Sequence, residues 1–186
     1  MRREVARGAD PLAGVERVIV DGSNLAHALG RDGDARLQAG GRHRVPAGPR
    51  PNVAVIAAVR AAFPADVRVE VVFDGMGSVG VGRPGRYTRA ASNLWVEHAG
   101  RESADRVIEG AVTAQLAADG PAGTWGTLVV TDDRELRGLV QAKGARVAGT
   151  AWLAGRLARV EGGRRPAPGT GFGNARPPRV PQAPRR

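Results

Sequence analysis

Three short runs of apolar, mostly β-branched residues constrain this chain most: Val18-Ile19-Val20, Val71-Val72-Phe73 and Leu128-Val129-Val130. Runs this continuous suit strands buried on both faces of a sheet. We read strands over Val15–Val20, Val67–Phe73, Leu94–Glu97, Thr127–Thr131 and Ala145–Ala148. Helical segments lie among them. Asn52–Arg60 has helical periodicity and stops near Pro64. Ser103 can cap a helix that runs to about Ala118. Asp133–Ala142 reads as a helix closed by Gly144, and Thr150–Arg159 as a last one capped by Thr150. Strands alternating with helices predict an α/β fold with a parallel sheet covered on both faces. Gly30–Pro51 and Gly75–Asn93, rich in Gly and Arg, are expected to interrupt it as long loops.

The chain has 186 residues, enough for about one domain with a real core. With no cysteine, disulfides, thiolate-bound zinc and thiol catalysis are excluded. His27, His43 and His98 lack metal-ligand spacing, so any metal must be held mostly by carboxylates. No apolar run approaches the roughly 20 residues that cross a bilayer. Met1–Leu12 carries Arg without a following apolar stretch, so no secretory leader is expected. The formal net charge is +10, and Lys143 is the one Lys among 28 basic residues. Half of that excess lies in Glu161–Arg186, which has six Arg, one Glu and six of the thirteen Pro. Such a segment buries too little apolar surface to offset its chain entropy. The expected division is a flexible segment at 1–14, a folded domain at 15–160 and a disordered basic tail at 161–186.

Within the folded part the acids are the informative charge. Ligands of an open parallel sheet bind at the carboxyl ends of its strands. The first strand runs into Asp21, the second into Asp74, and Leu128-Val129-Val130-Thr131 into Asp132 and Asp133. Glu102 and Asp105 flank a helix start on the same edge. A single Asp after a strand is an ordinary turn or cap residue. Several together repel one another unless protons or a cation compensate. A hard divalent ion such as Mg²⁺ suits an all-oxygen site and engages phosphate. Arg at the periphery would then pair with a polyanion.

The segments Val18-Ile19-Val20-Asp21-Gly22-Ser23-Asn24-Leu25, Val72-Phe73-Asp74-Gly75, Glu102–Ile108 and Val130–Leu136 occur in this order. Together they resemble the NYN branch of the PIN-like ribonucleases, and its YacP-like group above all. The resemblance covers roughly Val15–Val160. It implies a three-layer α/β/α sandwich around a mainly parallel sheet, and endonucleolytic cleavage of RNA with Mg²⁺ or Mn²⁺. By the same resemblance Asp21, Asp105, Asp132 and Asn24 would be catalytic. Asp21, Asp105 and Asp132, with Asp133 and Asp74, would bind the metal. Arg83, Arg86, Arg89, Arg106 and Arg134 are the candidate RNA contacts. Ser23 stands where many relatives carry an aromatic residue. The expected partner is RNA, including ribosome-associated mRNA, in the cytoplasm and away from membranes.

Other readings are weaker. Gly75–Gly80 spells GxGxxG after a strand, but Val81-Gly82-Arg83-Pro84-Gly85 cannot open the helix a dinucleotide site needs. Aspartyl-phosphate chemistry would want a second Asp at 23, where Ser23 stands, and a von Willebrand-type site a Ser at 25, where Leu25 stands. The alternative of another class is a catalytically weak RNA- or ribosome-binding module on the same fold, using Arg-rich loops and tail. Trp95, Trp125 and Trp152 are expected to pack in the core or at strand edges.

Overall fold

The computed structural model describes residues 10–38, 52–76 and 87–164. In chain order its elements are β1 (Arg17–Asp21), α1 (Gly22–Gln38), α2 (Asn52–Arg60), β2 (Arg68–Phe73), β3 (Thr88–Arg89), β4 (Leu94–His98), α3 (Ala104–Trp125), β5 (Thr127–Val130), α4 (Arg134–Ala142), β6 (Arg146–Ala148) and α5 (Thr150–Arg164). The strands make one sheet in the order β3-β4-β2-β1-β5-β6. All neighbours run parallel except β3 against β4.

Alternate residues of the central strands feed two separate apolar layers. Val18, Val20, Val71 and Phe73 join Leu25 and Leu29 of α1, Val55 and Val59 of α2, and Leu153 and Leu157 of α5. Ile19, Val72 and Val129 join Ile108 and Val112 of α3 and Leu136 and Val140 of α4. The architecture is therefore the expected three-layer α/β/α sandwich around a mainly parallel sheet. Gly22 begins α1 because little else fits: a Cβ there would stand 2.5 Å from Phe73 Cε1 and 2.8 Å from Val71 Cγ1.

Several boundaries differ from expectation. The first strand begins at Arg17, two residues later than read, and ends one residue later, at Asp21. Helix α1 runs to Gln38, across the start of the stretch expected as loop. Gly30 and Gly33 lower its intrinsic propensity, and burial of Leu25, Ala26 and Leu29 supports it. Residues 39–51 lie outside the described residues. Inside the second expected loop, Thr88–Arg89 pairs with β4 as an edge strand too short to show periodicity. Helix α3 passes Ala118, breaks at Gly120 (φ 67°) and resumes with Pro121. Helix α5 reaches Arg164, past the boundary set at Val160, and 165–186 fall outside the described residues. In the segment expected to be flexible, the Ala13 N–H donates to the Asp10 carbonyl at 2.9 Å, and Leu12 packs on the core. Trp152 packs on the core, whereas Trp125 is 48 % exposed beneath the Arg146 guanidinium.

His98 ends β4 without exposed surface, its ring 5.4 Å from that of Phe73. Neither ring nitrogen has a partner among the described residues, and burial holds its pKa below the ordinary 6.5. The neutral ring is thus favoured in the fold, giving stability present above pH 6.5 and lost as pH falls through the lowered value. Melting temperature is expected to drop on acidification from neutral pH, and His98→Phe to flatten that drop. An equal slope in the variant would assign the acid sensitivity elsewhere.

Candidate active site

The strand order reverses at β1. From there the chain builds β2 and β4 to one side, then crosses to β5 and β6 on the other. The crevice at the carboxyl ends of β1 and β5 is the position at which such sheets bind ligands.

Asp21, at the end of β1, is 4 % exposed. Its Oδ1 accepts from the Asn24 backbone N–H at 2.9 Å and its Oδ2 from the Thr131 hydroxyl at 3.0 Å. Thr131, fully buried after β5, also accepts from Asn24 Nδ2 at 3.4 Å and from the Asp133 N–H at 3.1 Å. A hydroxyl has one hydrogen and two lone pairs, so Thr131 is fully used. It ties the end of β1, the first turn of α1 and the end of β5 into one unit. Burial pushes the Asp21 carboxyl up, its hydrogen bonds oppose this, and the charge of Asp74 adds to it.

Asp74 follows β2 and is exposed. Its Oδ1 accepts from the Ala104 N–H at 2.8 Å, holding the start of α3, and its own N–H donates to Ser23 Oγ at 2.9 Å. Ser23 thereby has a structural use in place of aromatic packing. Asp105, in the first turn of α3, has no hydrogen bond to its carboxylate among the described residues. Loss of hydration raises its pKa first, and the charges of Asp21, Asp133, Asp74 and Glu135 raise it further. These acids therefore share one electrostatic neighbourhood.

The adjacent Asp132 and Asp133 part company. Asp133 caps α4, accepting from the Leu136 N–H at 2.8 Å, and acts on Asp105. Asp132 accepts from the Thr150 N–H at 3.0 Å and from the Thr150 hydroxyl, and so holds the start of α5. Arg106 and Arg134 lie exposed in the first turns of α3 and α4, beside Asp105 and Asp133, and neither pairs with a carboxylate among the described residues. Arg89 sits on β3, and Arg83 and Arg86 lie outside the described residues. Sequence reasoning passed over Thr131, Glu135 and Arg137, whose Nη1 donates to the Thr131 carbonyl at 3.4 Å. The available signal for Thr131 was a hydroxyl closing a buried apolar run.

Among the described residues no three acidic or histidine side chains stand close enough to share a metal ion. Mg²⁺ often needs only one or two carboxylates, with water and phosphate oxygens filling its shell. Asp21 and Asp105 suit that sparser arrangement. Both supply oxygen alone, and a cation would relieve both: Asp21 is a buried carboxylate, and the exposed Asp105 is crowded by the negative charge of its neighbours.

Among solved structures, the chain is similar to Rae1 (YacP) from Bacillus subtilis, with a TM-score of 0.52 and 20 % identity over 79 % of this chain and 76 % of that one. A tryptophan-to-leucine variant of the same protein aligns with a TM-score of 0.51 and 20 % identity over 79 % and 77 %. No family profile and no curated protein sequence matches the chain. The likeness shows a YacP-like fold. No helix among the described residues is long and apolar enough to cross a membrane.

Proposed function

We propose that the chain is a metal-dependent endoribonuclease that hydrolyses RNA phosphodiester bonds at the crevice between β1 and β5. The observation that carries this reading is Asp105. Alone among the aspartates of this edge it has no hydrogen bond among the described residues, yet it is crowded by the charges of four other acids. Bonds to helix-start N–H groups explain Asp74, Asp132 and Asp133, but no hydrogen bond among the described residues explains Asp105.

Asp21 and Asp105 would hold Mg²⁺ or Mn²⁺, which when bound supplies Lewis acidity toward phosphate and water. Asn24 and Thr131 fix the Asp21 carboxylate so that it need not reorganise during the reaction. Asp105 would also orient the attacking water, whose proton passes to solvent. The new bond forms to phosphorus, the bond to the ribose oxygen breaks, and that oxygen takes a proton from solvent. Arg106 and Arg134 contact the phosphates on either side. The substrate reading, RNA including ribosome-associated mRNA acted on in the cytoplasm, is supported by the similarity to YacP and by the basic balance of the chain.

Cleavage of labelled RNA in Mn²⁺, with a chelator control, tests the assignment. Asp105→Asn is expected to slow cleavage about 100-fold. Asp132→Asn, which keeps an oxygen for the Thr150 N–H, is expected to cost less than about tenfold. The reverse ranking would replace Asp105 with Asp132 in the mechanism. Three of the acids already bind helix-start N–H groups, which favours a second reading: an RNA- or ribosome-binding module without strong activity. RNA binding without cleavage by the unaltered chain would establish it.

A further inference from the structure

We propose that the β4–β3 end of the sheet, on the α3 side, is a platform for single-stranded RNA, with Arg68 and Arg89 as phosphate donors held in place by Trp95. The proposal rests on the RNA reading above and adds a path for the strand.

On this side α3 packs on β1, β2 and β5, and α4 on β6. The far end of the same face belongs to β4 and β3. Trp95 lies opposite Glu70 on one ladder and opposite Arg89 on the other, so all three share the face. Glu70 marks it as the α3 side, because its partner Arg17 also reaches Gln115 of α3 at 3.0 Å. Trp95 is half-buried, with the Arg68 guanidinium 4.4 Å from its ring centroid and that of Arg89 at 5.6 Å. Arg89 gives Nε and Nη2 to the neutral carbonyls of Ala91 and Ser92, and pairs with no carboxylate among the described residues. Arg68 and Arg17 share the single carboxylate of Glu70. With Glu97 also on this face, three guanidiniums stand against two carboxylates, so the patch keeps a net positive charge on groups already oriented by a ring and by hydrogen bonds. Such donors lose less freedom when they meet a phosphate.

The chemistry favours a nucleic acid over a protein. A protein interface needs an apolar centre, but the strand's apolar residues Leu94 and Val96 are buried in the other layer. Exposed guanidiniums held against an aromatic ring match successive phosphates and unpaired bases. Trp95 is three residues from the carboxyl end of β4 and two strands from β1. Asp21 is level with Glu97, two residues past Trp95, which puts the two about 12 Å apart, within the span of a few nucleotides.

The test is anisotropy of a labelled oligouridine of about twelve nucleotides and of a duplex RNA of equal length. It is read with the full chain in EDTA, so that no cleavage intervenes. Arg89→Gln is expected to weaken single-strand binding about fivefold and to reduce its salt slope by about 0.7. Trp95→Leu is expected to weaken it about tenfold, and Trp95→Phe, which keeps a ring under the guanidiniums, by less than about twofold. Duplex affinity should move by less than about twofold in every variant. Unchanged single-strand affinity in Arg89→Gln overturns the proposal and leaves the stack to an acidic protein partner. That variant removes only two bonds to backbone carbonyls and an exposed contact with the Trp95 ring, so it decides the matter even if Trp95→Leu fails to fold. A wild-type chain that binds in EDTA but never cleaves with Mn²⁺ defeats the nuclease reading and leaves the platform standing. Cleavage with unchanged binding by Arg89→Gln does the opposite.

Discussion

Asp21→Asn is expected to lower metal-dependent RNA cleavage by about 10³-fold or more while the protein stays folded. The substitution keeps an oxygen for the Asn24 N–H and removes the negative charge that would hold the cation. Thr131 loses the acceptor of its hydroxyl, a cost of about 1 kcal/mol. Relief from burying a carboxylate whose pKa the fold raises offsets part of it. The melting temperature should therefore change little. Rates from labelled RNA in Mn²⁺, set beside thermal melts of both proteins, separate the two effects. Cleavage by the variant within about tenfold of wild type would remove Asp21 from the chemistry.

Glu70→Ala should destabilise the fold by about 3–5 kcal/mol, the cost of stripping one partner from a buried ion pair. Glu70 has no exposed surface, and Arg17 grips both its oxygens, Nε at 3.0 Å and Nη2 at 2.6 Å. The Arg17 side chain is itself only 18 % exposed, so water cannot readily replace the lost carboxylate. Urea unfolding measures the loss. Pairing Arg17→Leu with Glu70→Leu should recover most of it, because the one guanidinium then left without its carboxylate, Arg68, is half exposed and solvated. A loss below about 1 kcal/mol for Glu70→Ala would mean that solvent reaches the pair after all.

The contrast between Asp21 and Glu70 shows what was legible in the sequence. Asp21, Asp74 and the Asp132–Asp133 pair each follow an apolar run, and the carboxyl edge of a parallel sheet is common ground for all of them. Their gathering could be expected before any coordinates. Glu70 sits inside its run, and a charged residue in a strand ordinarily faces water. Only the third dimension brings Arg17 and α3 over it. The divergence of Asp132 from Asp133 was hidden for a similar reason. Neighbours at a strand's end can turn to different helices, and Thr150 lies 18 residues from the acid it engages. Helix α1 escaped notice because Gly30 and Gly33 obscure the periodicity that its packing enforces. The three-layer arrangement depended on none of these details, since short apolar strands separated by helices admit few other solutions.

The capping bonds at the sheet edge bear on how relatives of this chain should be compared. A lineage that abandoned cleavage would still have reason to keep Asp74, Asp132 and Asp133, since α3, α4 and α5 each begin on one of them. Those positions record the architecture, and their survival is poor testimony to enzymatic descent. Position 105 carries no such obligation, so its drift would be the earliest mark that a descendant had become a binder alone.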